Sequence, residues 1–442
     1  MSLKERINDS NIISDLNDDW QCALLIKGVA VKPSNIKSLV IREWIFDTLP
    51  TLEVIMMDTG TFVDAFPLED GDLIQVEVNR DQKNEKDPPI SMEFTLQDFE
   101  FESVDIERVQ TVVMRLTAIA KTENMFVPIY NRSFKKSSSV QALTKIAKEC
   151  SLETNAKIST NDVMTWLQIN QNNYDMIHHL RDRAYKEKND AVFVCMDREN
   201  EFIITSLKTE LENKESTKII FDPKKVFDVS EKKAPQPDDK EDKDIYFNKY
   251  KYINIAGNIN KVLGYGIEYD FYALTGEEKK NTLDSDEHSL TDLSFKNKNY
   301  SGKIVKHFNK GIKFSADNTY DYYLVALMQN EYIKNSFFAS NLILYINTTD
   351  KIRLFSKIEL SIPSMIPASE EEEDINEVFS GEYIVGGILH QISSGGTYKM
   401  VLSCFRNGIN ESSISDGETN LTKENKSGVP ILKLPSLPSL PF

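Results

Sequence analysis

The sequence predicts an α+β fold that is mainly β, in which two small antiparallel β-barrels flank a compact α+β module. Three observations predict it: short apolar runs between polar turns early in the chain, two capped helical segments with a hairpin in the middle, and strand patterns that return near the end. The predicted domains are a first barrel (1–125), an α+β helix–hairpin module (126–212), a second barrel (213–244 and 320–410), an insertion in that barrel (245–319), and a linker with an apolar, proline-rich tail (411–442).

The first barrel is indicated by strands with a period of two. In Leu73–Val78 polar and apolar residues alternate, which is typical of a half-buried strand. Polar turns separate several such runs, so a small antiparallel barrel over about 15–125 is expected. The other runs are 20–29, 39–58, 92–101 and 111–121.

The middle module is indicated by helix caps. Ser137-Ser138-Ser139 precedes a segment in which apolar residues recur at helical spacing as far as Cys150. Asn172 or Asn173 caps a second helix over 174–185. A hairpin of two strands, 191–196 and 201–207, completes the predicted module.

The last third of the sequence indicates the second barrel. The charged stretch 232–243 contains two prolines and is the best candidate for a boundary or disordered loop. The insertion is polar and tyrosine-rich, and no structure is assigned to it. A helix is expected over 321–338. The strands expected in the barrel are 218–227, 341–347, 352–362, 383–392 and 397–407.

Composition excludes several classes of protein. The 442 residues carry 52 basic and 69 acidic side chains, and a net charge of −17 disfavours binding to nucleic-acid phosphates. Cys22, Cys150, Cys195 and Cys404 have no paired spacing, which excludes a disulfide scaffold and a cysteine zinc site and favours idle thiols. No stretch approaches 18 uninterrupted apolar residues and no signal peptide is evident. We therefore expect a soluble protein without membrane insertion, made in the cytoplasm.

No residue pattern indicates catalysis, a metal site or a cofactor. His178 and His179 are adjacent on a predicted helix and point about 100° apart, so they do not converge on one ion. Leu263-Gly264-Tyr265-Gly266 lacks the third glycine of a dinucleotide loop and indicates a turn. The acidic run 370–374 indicates a solvated loop. We expect a non-catalytic protein.

The C-terminal tail is the segment whose composition indicates binding. Its prolines exclude a helix or a central strand, and its apolar side chains each gain about 1.5–3 kcal/mol when they are buried. We expect the tail to dock in extended form along a partner or a neighbouring copy; folding back on its own domain is the alternative. The predicted partner-binding residues are Val429, Ile431, Leu432, Leu434, Leu437, Leu440 and Phe442.

Two segments carry a resemblance to a known family. The first runs from Trp166 through the polar stretch to Tyr174, then on to Ala191-Val192-Phe193-Val194. The second is a strand of pattern Y-x-V-x-x-I-x-H-x-I with a partner strand Y-x-M-x-L and Arg-Asn, carried by Tyr383, Val385, Ile388, His390, Ile392, Tyr398, Met400, Leu402, Arg406 and Asn407. The chain resembles the baseplate hub proteins of contractile-tailed bacteriophages, the T4-type hub in particular. Late-control D proteins and type VI secretion spike hubs are more distant relatives.

The resemblance implies a structural role in the virion. Two similar barrels per chain and three chains per ring present quasi-sixfold symmetry to the hexameric tail tube and threefold symmetry to the trimeric central spike. The implied partners are two further copies, the spike, the tube or its initiator, and other baseplate wedge proteins. DNA only passes through the channel, and the baseplate is assembled in the host cytoplasm.

Two alternatives remain at this point. A tail-associated cell-wall hydrolase needs a cleft with a perturbed acid, and no domain-sized segment is left over to house one. A tail-tube or sheath-initiator protein has one barrel and forms hexamers, so the number of barrels and the oligomeric mass distinguish it from a hub.

Overall fold

The computed structural model shows a mainly β protein, which confirms the expected mainly β class. Two similar barrels were expected; among the described strands one barrel is closed, and the strands of the expected first barrel form a sheet that joins it. None of its described helices is long and apolar enough to span a lipid bilayer. The structure describes residues 13–16, 20–58, 67–80, 90–106, 109–212, 215–221, 245–254, 266–273, 278–284, 313–315, 320, 322–338, 340–346, 351–363, 375–376, 379–393 and 397–406.

The first sheet lies between residues 13 and 120. Its strands are β1 (Ile13–Leu16), β2 (Trp20–Ile26), β3 (Val29–Ala30), β4 (Ile36–Trp44), β5 (Thr51–Asp58), β6 (Leu73–Arg80), β7 (Ile90–Ile106) and β8 (Val109–Ala120). They pair antiparallel in the order β1-β2-β6-β7-β8-β5-β4, with β3 against β2. Ile74, Val76 and Phe94 are fully buried on its inner face, as the period-two pattern predicts. A 3₁₀ turn at Pro33–Asn35 leads from β3 back to β4.

The middle module contains both predicted helices and the predicted hairpin. Its elements are β9 (Tyr130–Ser137), α1 (Ser139–Glu149), β10 (Glu153–Ala156), β11 (Met164–Gln171), α2 (Asn173–Arg183), β12 (Val192–Met196), β13 (Glu201–Ser206) and α3 (Leu207–Leu211). Ser138 caps α1 in a capping box with Gln141, and Asn172 caps α2 through the Asp175 backbone N–H. The strands β9 and β11 form a separate two-stranded ribbon, and β10 joins the hairpin parallel to β13.

The second barrel is closed by six strands. They are β14 (Ser216–Phe221), β15 (Ile245–Asn254), β19 (Ser340–Ile346), β20 (Lys357–Ser361), β21 (Gly381–Ser393) and β22 (Thr397–Arg406). Their order is β21-β20-β14-β15-β19-β22, and β22 returns to β21. Most neighbours are antiparallel, but β14 runs parallel to both β15 and β20, which corrects the expectation of an entirely antiparallel barrel.

One expected boundary is wrong. Residue 245 was expected to begin the insertion, but Ile245–Asn254 is β15, a central strand of the second barrel. Ile245 and Phe247 are buried in the core, and the ring of Tyr250 lies 6.2 Å from that of Phe221. Tyr250 and Tyr252 pack partly buried against the core, and a register shift between Phe247 and Lys249 interrupts the alternation along the strand. A segment that reads as polar therefore contributes an apolar face to the barrel.

The rest of the insertion includes a small sheet, and a helix follows it. The sheet has β16 (Gly266–Ala273) in the middle, antiparallel to β17 (Glu278–Asp284) and parallel to β18 (Lys313–Ser315). The helix α4 (Tyr323–Phe337) matches the helix expected over 321–338. It packs against α2 of the middle module rather than against β-strands alone.

Candidate functional site

The two β-domains share one continuous sheet. β4 of the first domain pairs antiparallel with β21 of the second, from Trp44 opposite Gly387 to Ser38 opposite Ser393. The other edge of β21 pairs with β22, which closes the second barrel. Backbone hydrogen bonds therefore hold the two β-domains side by side, and we refer to this β4–β21 contact as the junction.

Two aromatic rings lie directly on the backbone of β21 at the junction. A Cβ atom on Gly387 would stand 2.1 Å from Cε3 of Trp44, and one on Gly386 would stand 2.7 Å from Cδ2 of Phe405. The two rings are 5.6 Å apart in an edge-on arrangement. Glycine is required at these positions because any side chain would occupy the space of a ring.

A buried polar network lies at the same junction. His390 on β21 has Nε2 2.7 Å from Oε1 of Glu43 on β4, and Nδ1 2.7 Å from the hydroxyl of Tyr398 on β22. The second oxygen of Glu43 accepts a 2.8 Å hydrogen bond from the backbone N–H of Arg198, in the turn between β12 and β13. None of these four residues is more than 4% exposed. The network therefore connects both β-domains and the middle module.

The partners of His390 define its protonation. Burial raises the pKa of Tyr398, so the phenol keeps its proton and donates it to Nδ1 of His390. Nε2 then carries the imidazole proton and donates to Glu43, a tautomer assigned from these partners. Burial lowers the pKa of His390, which keeps the ring neutral. Burial alone would raise the pKa of Glu43, but the hydrogen bond from His390 and the charge of Arg198 outweigh it and hold that pKa below its usual value.

A second set of contacts fixes the middle module to the first sheet. Nε2 of His178 on α2 lies 3.2 Å from Oγ1 of Thr48, and the backbone N–H of Met196 donates to the carbonyl oxygen of Thr48 at 3.0 Å. Arg181 donates through Nη1 to the carbonyl oxygen of Phe46 at 3.1 Å. These bonds join α2 and β12 to the loop that follows β4, so the module sits against the junction.

The helix α4 fixes the module from the other side. Oε1 of Gln329 accepts from the backbone N–H of Asn189 at 2.9 Å, and Oδ1 of Asn330 accepts from that of Val192 at 3.2 Å. Both amides are 1% exposed. Because α4 leads directly into β19, the second barrel and the middle module form one packed unit at this point.

Acid is expected to weaken the contact made by His178. Burial, reinforced by the positive charge of Arg181, lowers the pKa of this side chain to about 4, against 6.5 for a free histidine. The folded state therefore disfavours protonation of His178. The contribution of this side chain to the free energy of unfolding does not change with pH above 6.5, and stability is lost as the pH falls from 6.5 towards 4. His178→Asn removes this loss. When the pH is lowered from 7 to 4.5, the variant should therefore gain in melting temperature relative to the native protein, by the equivalent of about 1–3 kcal/mol. A difference that does not change with pH would contradict the assignment.

An apolar surface is exposed on the middle module. Leu167 and Ile169 on β11 are 50% and 63% exposed, while Trp166 and Gln168, which alternate with them, are fully buried. The loop before β9 adds Val127 and further apolar side chains beside the same strands. We call this surface the apolar ribbon; its residues are Phe126, Val127, Ile129, Val163, Leu167 and Ile169, six of the nine large apolar side chains exposed in the described part of the chain.

The positions named from the sequence have mainly structural surroundings. His178 contacts Thr48, and the ring of His179 packs edge-on to Trp166, so the two histidines diverge as expected. All four cysteines are buried free thiols; burial raises the pKa of Cys22 to about 12 and that of Cys150 to about 11. Within the described ranges, no group of three His, Cys, Asp or Glu residues is arranged to hold a metal ion.

The residues of the family pattern lie in the barrel core. From Tyr383 to Arg406 the matching residues are almost fully buried, and the Arg406 guanidinium lies 4.5 Å from the centre of the Tyr383 ring. Trp166 lies in β11, one element before the helix. Asn407, the acidic run 370–374 and the predicted tail residues Val429, Ile431, Leu432, Leu434, Leu437, Leu440 and Phe442 lie outside the described residues.

Comparison with known proteins identifies the fold. No protein-family model matches the sequence, and no curated protein matches it. Among solved structures, the 43 kDa tail protein of prophage MuSo2 from Shewanella oneidensis superposes with a TM-score of 0.52 at 9% identity, covering 88% of this chain and 98% of that one. The chain has a phage tail protein fold. The tail protein from Neisseria meningitidis MC58 is similar to the same degree, with a TM-score of 0.52, 8% identity, and coverage of 88% and 97%.

The comparison confirms the resemblance to phage tail proteins at the level of the fold. Both matches cover 88% of this chain and 97% or more of the tail protein, so the likeness extends over most of both chains. Sequence reasoning placed His390 in the family pattern but did not find Glu43 or Arg198, its partners at the junction. Glu43 is one of four acidic residues in the run 39–58, so the sequence does not single it out.

Proposed function

We propose that the protein is the baseplate hub of a contractile phage tail, a trimeric symmetry adaptor between the hexameric tail tube and the trimeric central spike. The observation that carries the proposal is the junction: two β-domains in one chain, one of eight strands and one of six, are held side by side by the pairing of β4 with β21. Three copies supply six such domains in a ring, which matches a sixfold tube while the ring keeps threefold symmetry.

The charge of the chain supports a channel that passes DNA without binding it. Three copies carry a net charge of about −51, since each carries −17. A negative wall repels the phosphate backbone and keeps it from adhering during passage. We propose that acidic side chains are enriched on the inner surface of the ring, and that the hub contacts the spike, the tube or tube initiator, and the wedge proteins of the baseplate.

The proposed role is structural rather than enzymatic, and it requires no cofactor. The most polar buried cluster at the junction, around His390, is fully engaged by Glu43 and Tyr398 in connecting domains. The protein acts in the virion tail after assembly in the host cytoplasm. In the assembled baseplate we propose that the apolar tail, 429–442, lies in extended form against another subunit.

The junction also favours this role over that of a tail-tube or sheath-initiator protein. Such a protein supplies one barrel per chain and needs six chains to complete a ring, whereas this chain contains two β-domains joined through β4 and β21. A cell-wall hydrolase is tested separately, because a zymogram with the purified chain shows clearing if it cleaves peptidoglycan.

The oligomeric mass tests the hub directly. We expect mass photometry of the purified full chain to give a species near three times 50.6 kDa. A hexamer of six times that mass would support a one-barrel tube arrangement and would overturn the hub. A reconstruction of the particle by electron microscopy then shows whether the ring lies between tube and spike and whether its bore is acidic.

A further inference from the structure

The apolar ribbon has the character of a docking surface. β9 and β11 pair with each other from Ser137 opposite Met164 to Tyr130 opposite Gln171, and Leu167 and Ile169 lie on the face away from the core. Apolar side chains that are half or more exposed, and that follow one strand, favour a partner that covers them. The described residues on β9 beside them are polar, with Asn131 opposite Ile169 and Ser133 opposite Leu167.

The C-terminal sequence contains a matching pattern. Residues 434–441 read Leu-Pro-Ser, Leu-Pro-Ser, Leu-Pro, a repeat of three residues. Proline restricts its own φ and disfavours the helical region for the leucine before it, so the repeat favours polyproline II. That helix has three residues per turn and rises 3.1 Å per residue, which aligns Leu434, Leu437 and Leu440 in one apolar row about 19 Å long.

The two apolar rows have the same length. From Val163 to Ile169 the ribbon spans six residue steps, and at about 3.3 Å per residue in a strand this is about 20 Å. A row of three leucines about 19 Å long therefore matches the part of the ribbon that runs from Val163 to Ile169. Extended proline-rich segments bind apolar surfaces in this manner because they lose little conformational entropy.

The tail can reach the ribbon of its own chain. Arg406 pairs with Ser340, three residues after the end of α4. The fourteen steps of α4 from Phe337 back to Tyr323 cover about 21 Å, and the ring of Tyr323 lies 6.3 Å from that of Trp166 on β11. With side-chain lengths included, the path from Arg406 along α4 to Trp166 on β11 is at most about 55 Å. The 27 residues from 407 to 433 extend to about 90 Å, so they span the path with slack.

We propose that in the free chain the Leu-Pro-Ser repeat, 434–441, lies along the apolar ribbon of the same chain, with its leucine row against Leu167 and Ile169. A tether of this length holds the repeat at an effective concentration near the millimolar range, which favours the chain's own ribbon over that of another copy. The proposal concerns the chain before assembly and does not depend on a role as a hub.

Photo-cross-linking in the full chain tests the proposal. Phe442 is replaced by benzoylphenylalanine, an aromatic side chain that cross-links to nearby C–H groups, and the products are mapped by mass spectrometry. We expect cross-links within one chain to residues 126–135 and 163–171, with a yield that does not change on tenfold dilution. Leu167→Ser with Ile169→Ser should lower that yield roughly tenfold, the change that corresponds to about 1.4 kcal/mol of lost apolar burial.

Two matched variants make the test specific. Phe101→Ser changes an apolar side chain of 44% exposure on the first sheet, and it should leave the yield unchanged. Ser436→Ala with Ser439→Ala changes the repeat outside the leucine row and should also have no effect. Cross-links to another region of the chain, cross-links between chains, or a yield unaffected by the ribbon variants would each overturn the proposal. Circular dichroism confirms that each variant is folded.

Discussion

Glu43→Ala is expected to lower the free energy of unfolding by about 3–6 kcal/mol, because it removes two buried hydrogen bonds to a charged acceptor, each of which contributes about 1.5–3 kcal/mol. The carboxylate of Glu43 accepts from Nε2 of His390 and from the backbone N–H of Arg198 in an interior that excludes water. Its removal leaves both donors without that acceptor and the buried Arg198 without the nearby negative charge. The midpoint of urea unfolding, followed by tryptophan fluorescence, measures the loss.

The same strand system offers a matched control. Glu53 on β5 is also a strand glutamate, but its side chain is 48% exposed and its nearest contact with Arg115 is 3.7 Å. Glu53→Ala should therefore change stability by less than about 1 kcal/mol. Glu43→Gln keeps the shape and loses the charge, so an intermediate loss is expected. If Glu43→Ala and Glu53→Ala have equal effects, the network does not stabilise the junction.

Gly387→Ala is expected to destabilise the chain by about 1–3 kcal/mol, the usual cost of overpacking a core. The added methyl group would stand 2.1 Å from Cε3 and 2.2 Å from Cζ3 of Trp44, so either the ring or the strand must move. The strand is held on one side by β4 and on the other by β22, which leaves the ring to move. Thermal unfolding followed by near-ultraviolet circular dichroism reports both the loss of stability and the displaced tryptophan.

A double-mutant cycle isolates the clash. Trp44→Leu removes the ring that meets the new methyl group, so Gly387→Ala should cost less in the Trp44→Leu background than in the native chain. We expect a coupling energy of at least about 1 kcal/mol, within the range measured for residues in contact. Additive effects of the two substitutions would show that Trp44 does not lie against Gly387 as described.

The elements that were predicted correctly carry their signals locally. The capping box joins Ser138 to Gln141, three residues away, and Asn172 caps α2 through Asp175 in the same way. The closing hairpin, Gly381–Ser393 with Thr397–Arg406, follows from two apolar strands around a short turn. Each of these structures is stabilised mainly by residues near to it in the chain.

The elements that were missed depend on distant partners. β9 reads Tyr-Asn-Arg-Ser-Phe-Lys-Lys-Ser, which has little apolar periodicity. Its Arg132 is held by Glu149 at 2.6 Å, Gln168 at 2.7 Å and Asn173 at 2.9 Å, from α1, β11 and the start of α2. Polar residues form a strand here because the module satisfies their hydrogen bonds.

The junction shows the same division. The sequence indicated that His390 belongs to a strand of the closing hairpin, but its partner Glu43 lies 347 positions away in the first domain. Nothing in either neighbourhood specifies that β4 and β21 pair, or that the turn at Arg198 donates to the same carboxylate.

The amino-acid sequence was sufficient to predict the mainly β class, the helices α1, α2 and α4, the caps of the first two, the closing hairpin and the acidic charge. Periodicity and capping act over two to four residues and can be recognised in one segment at a time. Tertiary structure alone decided the pairing of the two β-domains, the parallel position of β14, the inclusion of β15 in the barrel and the exposure of the apolar ribbon. These depend on which surfaces remain after distant segments have packed, and burial of that kind is a property of the whole chain.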